Sequence, residues 1–157
     1  MTQFSTLSRA ILLADRCQQQ AVPWLQALAL LAVRLYLLQV FFKAGMLKLE
    51  DWEATLFLFT EEYKVPLLSP ELAACLGTAG EIGFSSLLAL GLLSRPAALG
   101  LFAVNLVAAL SYPGLNEAGL KDHVLWGVLA IAVAVFGPGK LSLDAWWWPR
   151  LLSRSQR

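Results

Sequence analysis

Four polar or ionisable side chains interrupt the apolar stretches of this chain: Arg34, Glu81, Asn105 and His123. A charge near the centre of a bilayer is costly, so such groups face partners inside a bundle and often mark a functional site. Their chemistry is complementary. A carboxylate and an imidazole can exchange protons, a guanidinium can orient a carboxylate or hold a carbonyl oxygen, and an amide can bond across to a neighbouring helix.

Arg34 and Glu81 form the first candidate pair. Rising ~1.5 Å per residue, Arg34 lies about 15 Å from Trp24 and Glu81 about 18 Å from Leu93, on sequential antiparallel helices. The two charges are then level, and the spacing predicts an ion pair. Such a pair either fixes helix register or forms a binding and proton-handling site. Gly77, Thr78 and Ser85 share the Glu81 face, where hydroxyls can complete the carboxylate's hydrogen bonds and small residues admit another helix. Asn105 sits mid-span, placed to bond across to a neighbour. His123 precedes Trp126 by less than one turn and adjoins Asp122, and an ordinary imidazole titrates near neutral pH. It serves either as an interfacial residue or as a ligand-facing one. Glu81 and His123 are the candidate proton-handling groups, with Arg34 and Asn105 lining the same pocket.

Other chemistries are poorly provided for. Met46, Cys75 and His123 are a soft set compatible with Cu(I), but nothing in their spacing makes them converge, and no metal site is expected. His123 is the sole histidine, which excludes bis-histidine haem ligation within one chain. No phosphate loop, nucleophile elbow or dinucleotide fingerprint is present. Cys17 and Cys75 form no C-x-x-C and fall on opposite sides of the membrane in the topology below, which argues against a dithiol relay.

The elements that must position these residues are membrane spans. The chain is 58% hydrophobic, against about 45–50% apolar for a soluble domain. Its net charge of +1 lacks the clustered basic face that nucleic acid would require. Four apolar segments predict four helices: roughly Trp24–Phe42 opened by Pro23, Leu72–Leu93, Ala97–Tyr112, and Asp122–Phe136 ended by Gly137-Pro138-Gly139. The last is short, which draws Lys121, Asp122 and His123 toward the hydrocarbon. The expected organisation is an N-terminal cytoplasmic segment (1–22), a four-span domain (23–145), and an interfacial Trp-rich, basic tail (146–157). Residues 1–22 lack the apolar core of a secretory signal, and Ser8–Cys17 is compatible with a short amphipathic helix.

Seven Lys and Arg residues flank the side of the termini (Arg9, Arg16, Arg95, Lys140, Arg150, Arg154, Arg157) and four the other (Lys43, Lys48, Lys64, Lys121). That bias places both termini in the cytoplasm. In the first loop, Asp51 can cap a helix whose Trp52, Leu56, Phe59 and Tyr63 share one face. This predicts an amphipathic interfacial helix, either a plain anchor or a lid over a pocket. Trp146, Trp147 and Trp148 suit an aromatic belt at headgroup depth, followed by a basic tail suited to an anionic leaflet.

Three segments then resemble a known family: RLYLLQVFFKAGMLKL, GEIGFSSLLALGLLSRPAALGLF and DHVLWGVLAIAVAVFGPGKLSLD. Together they are similar to the DoxX family of bacterial membrane proteins, over roughly residues 30–145. The closing GPGKLSLD is the most specific piece. Arg34, Gly45, Lys48, Glu81 and Gly91 fall where the family pattern has such residues, and His123 matches a common position. DWEATLFLFTEEYKVPLL resembles a subgroup with an ordered outer loop. The resemblance implies an all-α, integral four-helix bundle in the bacterial cytoplasmic membrane, and adds Lys48 to the expected pocket of Arg34 and Asn105. It also implies an association with oxidoreduction, since relatives include a subunit of a thiosulfate–quinone oxidoreductase, others work beside thiol or oxidative-stress enzymes, and some sit in clusters linked to copper stress.

The expected function is a membrane subunit supporting oxidoreduction, with quinone in a pocket of Arg34, Glu81 and His123 and a partner redox protein or a second copy beside it. One alternative is a non-enzymatic assembly module that docks a partner through its outer loop. Another is a small transporter, which with so few helices would act as a dimer.

Overall fold

A computed structural model describes residues 2–154, with side chains described for 15–147 and for Arg150. The described chain forms helices α1 (Thr2–Glu50), α2 (Trp52–Glu61), α3 (Pro70–Leu90), α4 (Ser94–Ser111), α5 (Glu117–Phe136) and α6 (Leu143–Arg154), with no strand among the described residues. Four helices are long and apolar enough to cross a membrane: Asp15–Glu50 within α1, and α3, α4 and α5.

Local chemistry sets the ends of these helices. The Asp51 carboxylate accepts from Ala54 N at 2.9 Å and starts α2, as its spacing predicts. Ser69 caps α3 ahead of Pro70, and Gly91 ends it in the left-handed region at φ 68°. Asn116 caps α5 through Gly119 N at 2.8 Å.

Two predicted boundaries move. Pro23 does not open α1 but stands inside it. Proline removes one helical hydrogen bond, here from the carbonyl of exposed Gln19, which water or headgroups can satisfy. The Ser8–Cys17 helix is thus part of α1, and residues 2–22 are continuous with the first span. The fourth span is longer than its apolar run suggests. The Asn116 cap gives α5 20 residues, about 30 Å and enough to cross a bilayer.

α1 packs on α3 and α5, α3 on α4, and α4 on α5, closing a four-helix ring. Leu37, Phe41, Leu88, Leu101, Ala130 and Val133 fill its centre toward the α6 end. A second, smaller cluster lies at the opposite end, where α2 buries Phe59 on Ala73 and Ala74, with Trp52, Leu56 and Tyr63 beside it. Lys64 N donates to Ser111 O at 2.8 Å, tying the end of α2 to that of α4. The face predicted for α2 is therefore the face it packs, and the helix roofs one end of the bundle.

Candidate functional site

Polar side chains are buried in the bundle in three separate groups. On α1 the residues Arg34, Leu37, Phe41, Gly45 and Lys48 follow one another at steps of three and four, so they share one face. All but Lys48 are buried. Gly45 marks a close approach: a Cβ there would lie 2.5 Å from Ile82 Cγ1 and 3.3 Å from Glu81 Cβ. Lys48, one turn further on, therefore reaches the Glu81 carboxylate, with Nζ 2.7 and 2.6 Å from its two oxygens. Thr55 Oγ1 of α2 donates to Lys48 O at 3.0 Å, stitching the roof to the same turn.

This corrects the predicted Arg34–Glu81 pair. Arg34 lies fourteen residues before Lys48, about 21 Å along the helix. Its guanidinium instead donates to Leu88 O and Ala89 O at the end of α3, and to Pro138 O and Leu141 O of the closing segment, at 2.7–2.9 Å. Depth counted from Trp24 misplaced it, because α1 neither begins there nor ends at Phe42. The terminal carbonyls of α3 carry the negative end of its dipole, which suits a cation. Gly91 leaves room for this clasp, since a Cβ there would lie 2.8 Å from Arg34 Nη2 and 2.5 Å from Ser142 Cβ. Asp144 completes it by accepting from Leu93 N and Ser94 N, both at 2.8 Å, to cap α4. Arg34 and the GPGKLSLD segment thus form a structural joint, apart from the Glu81 carboxylate.

The hydroxyls near Glu81 also differ from expectation. Ser85 Oγ donates to the backbone carbonyl of Glu81 rather than to its carboxylate. Thr78 Oγ1 is buried without a protein partner. Gly77 admits the Phe59 ring of α2, at 3.6 Å from where a Cβ would stand.

Lys48 and Glu81 line a cleft of about 210 Å³ beneath α2. Its walls include Phe59, Tyr63, Leu68, Leu76, Val104 and Val107. Leu68, Leu76 and Val107 are also exposed on the flank of the bundle, so the cleft opens toward the bilayer. Tyr63 stacks on Phe59 at 4.8 Å and tilts against Tyr112 at 5.1 Å. Burial holds the Tyr63 phenol above its ordinary pKa, helped by the nearby negative charge of Glu81. Tyr63 was foreseen on the packing face of α2, but its neighbourhood to Glu81 depends on the α1–α3 register.

Asn105 and His123 form a separate pair on the other side of α4. Asn105 Nδ2 donates to His123 O at 2.8 Å, and Asn105 Oδ1 lies 2.8 Å from His123 Nδ1. The His123 ring meets Trp126 edge-on at 5.0 Å, and Trp126 Nε1 donates to Tyr36 Oη at 3.2 Å. The structure therefore divides the five predicted pocket residues into Lys48–Glu81, Asn105–His123 and Arg34. Cys17 and Cys75 are both free and exposed. No group of three or more His, Cys, Asp or Glu among the described residues could hold a metal ion.

This architecture is that of a multi-pass helical membrane protein with polar side chains buried inside its bundle. The model of the DoxX family matches residues 29–114, more than half of the chain, and the chain belongs to the DoxX family. The match spans Arg34, Lys48, Glu81 and Asn105 and stops before His123 and Asp144. No curated protein and no solved structure matches the chain.

Proposed function

We propose that this protein is a membrane subunit of an oxidoreduction system and holds a quinone-type molecule in the cleft beneath α2. One observation carries the reading: a charged pair lines a largely apolar cleft that opens toward the bilayer. Small-molecule sites characteristically combine apolar walls with a few convergent polar groups.

The residues suit such a ligand. Two of the three N–H groups of Lys48 engage Glu81, leaving one to donate to a carbonyl oxygen. Glu81, a carboxylate beside that donor, can take up or release a proton at the same oxygen. Phe59 and Tyr63 flank the ring and exclude water from above. A bound quinone supplies two-electron, two-proton chemistry, and the electrons come from a partner redox protein. Arg34 has no part in this site; its role is to hold the closing segment.

We further infer a bacterial cytoplasmic membrane with both termini inside. Lys48 is engaged within the bundle, so only Lys43, Lys64 and Lys121 remain to weigh against the basic residues toward the termini. Lys140 lies 5.4 Å over the Trp24 ring at that end, and Trp146 and Trp147 are exposed there, as an aromatic belt requires. A role in docking a partner through the outer loop would call for free aromatic rings there, yet Phe59 is buried against Ala73 and Ala74 of α3, with Trp52 and Tyr63 packed beside it.

Extraction of the gently purified protein tests the proposal. Stoichiometric quinone in the natural protein, lost in the double variant Lys48→Gln/Glu81→Gln, is the expected result. Protein that carries no quinone, or a double variant that retains it, contradicts it.

A further inference from the structure

The α4–α5 face carries a second cleft, distinct from the one beneath α2. It measures about 420 Å³ and its walls include Phe102, Leu106, Leu110, Val124 and Val128. Leu106, Leu110, Val124 and Val128 are exposed, so this cleft also faces the bilayer. The two clefts lie on opposite faces of α4, one bordered by Val104 and Val107, the other by Asn105 and Leu106. His123 and Asn105 are the polar side chains among its lining residues.

Their bonding fixes the chemistry presented there. Asn105 uses both ends of its amide on one residue, donating from Nδ2 to His123 O and facing His123 Nδ1 with Oδ1. The donation to a carbonyl identifies Nδ2, so Oδ1 can only accept, and Nδ1 must carry the proton. In a neutral imidazole Nε2 is then the bare nitrogen, an acceptor and not a donor. A second proton would place a cation against the apolar walls of the cleft, which is unfavourable. Nε2 has no protein partner among the described residues. The edge-on contact with Trp126 at 5.0 Å holds the ring's plane. An amide that fixes both the tautomer and the position of an imidazole is the arrangement by which proteins present the other nitrogen to a ligand.

We infer that the α4–α5 cleft binds a membrane-soluble molecule bearing a hydroxyl group, which donates to His123 Nε2 while its apolar body lies along α4 and α5. A molecule with only carbonyl or ether oxygens cannot make this bond, because Nε2 has no hydrogen to offer. The site thus selects donors, whereas Lys48 in the other cleft offers a hydrogen and selects acceptors. The donor has two natural sources in a bilayer, a phenolic or quinol headgroup and a lipid alcohol.

The single histidine makes the test direct. The full chain, labelled with ¹⁵N-histidine and placed in lipid nanodiscs, is titrated with 4-octylphenol, its methyl ether, and dioleoylglycerol. The expected result is a protonated Nδ1, a bare Nε2, and a saturable Nε2 shift with one or both hydroxyl compounds but not with the ether. A response to the phenol alone assigns the source to phenolic headgroups, and a response to dioleoylglycerol assigns it to lipid alcohols. Asn105→Ala should mix the tautomers and weaken binding about five-fold, the worth of one neutral hydrogen bond. Lys48→Gln/Glu81→Gln should leave the Nε2 response unchanged, so failure of the other cleft does not mimic failure here. A protonated Nε2, equal shifts with the ether, no saturable shift, or an Nε2 signal that follows only protein density, as for a second copy on this face, each overturns the inference.

Discussion

Lys48 and Glu81, thirty-three residues apart, meet at 2.6 Å inside the bundle, each side chain less than one-fifth exposed. The pair ties α1 to α3 at the level where Gly45 lets them touch. Removing one partner leaves a charge in apolar surroundings, which costs about 3 kcal/mol or more. Glu81→Gln and Lys48→Gln should each destabilise the protein by that order. The double variant should recover much of the loss, as a double-mutant cycle of unfolding in detergent would measure. Additive losses would show that the two charges act independently.

Arg34 should behave differently from this pair. Arg34→Lys keeps the charge but loses the fork that reaches two carbonyls of α3 and two of the closing segment. The expected outcome is a loss of about 2–3 kcal/mol of stability, with the quinone content of the folded fraction unchanged. A loss of ligand without a loss of stability would move Arg34 back into the site.

Gly91 tests the same joint from the backbone. Its φ of 68° and the 2.5 Å approach of Ser142 to a Cβ leave no room for a side chain. Gly91→Ala should cost about 2 kcal/mol or more, beyond the left-handed penalty alone. Asp144→Ala removes both acceptors at the start of α4 and should cost about 1–2 kcal/mol. Thermal unfolding monitored by circular dichroism reports both.

Tyr63 carries a pH dependence. Burial first, then Glu81, Tyr112 and Glu62, raise its pKa above the ordinary 10.0. The folded state therefore keeps a proton that the unfolded chain releases, and stability falls as pH rises above the ordinary tyrosine value. Tyr63→Phe should flatten that part of the curve. Glu81→Gln should lower the phenol's pKa in a spectrophotometric titration of the folded protein. An unchanged titration would separate Tyr63 from Glu81.

Much of this architecture is legible in the residues. Four apolar segments, the Asp51 cap, the packing face of α2 and the stop at Gly137 depend on local composition and spacing, and each appears in the structure. The partners of the buried charges were not legible, because they depend on the offset between α1 and α3. Taking Pro23 as the opening and Phe42 as the end of the first span shifted that offset and aligned Arg34 with Glu81. The stripe from Arg34 through Leu37, Phe41 and Gly45 to Lys48 held the better signal, since it carries Lys48 onto the interior face. Backbone acceptors were the other hidden factor. Arg34 is satisfied by carbonyls, which every residue possesses and no sequence pattern distinguishes. Asn105 was expected to bond to a neighbouring helix and does so, but its choice of His123 required the packing of α4 on α5.

The most direct measurement of the central claim is photolabelling of the membrane-embedded protein with an azido-quinone, followed by peptide mapping. Labels on the α2–α3 segment from Phe59 to Gly77 and on α4 from Ala103 to Ala108, abolished by Lys48→Gln/Glu81→Gln, are the predicted result. Absence of labelling, or labels that survive the double variant, would contradict a quinone site beneath α2.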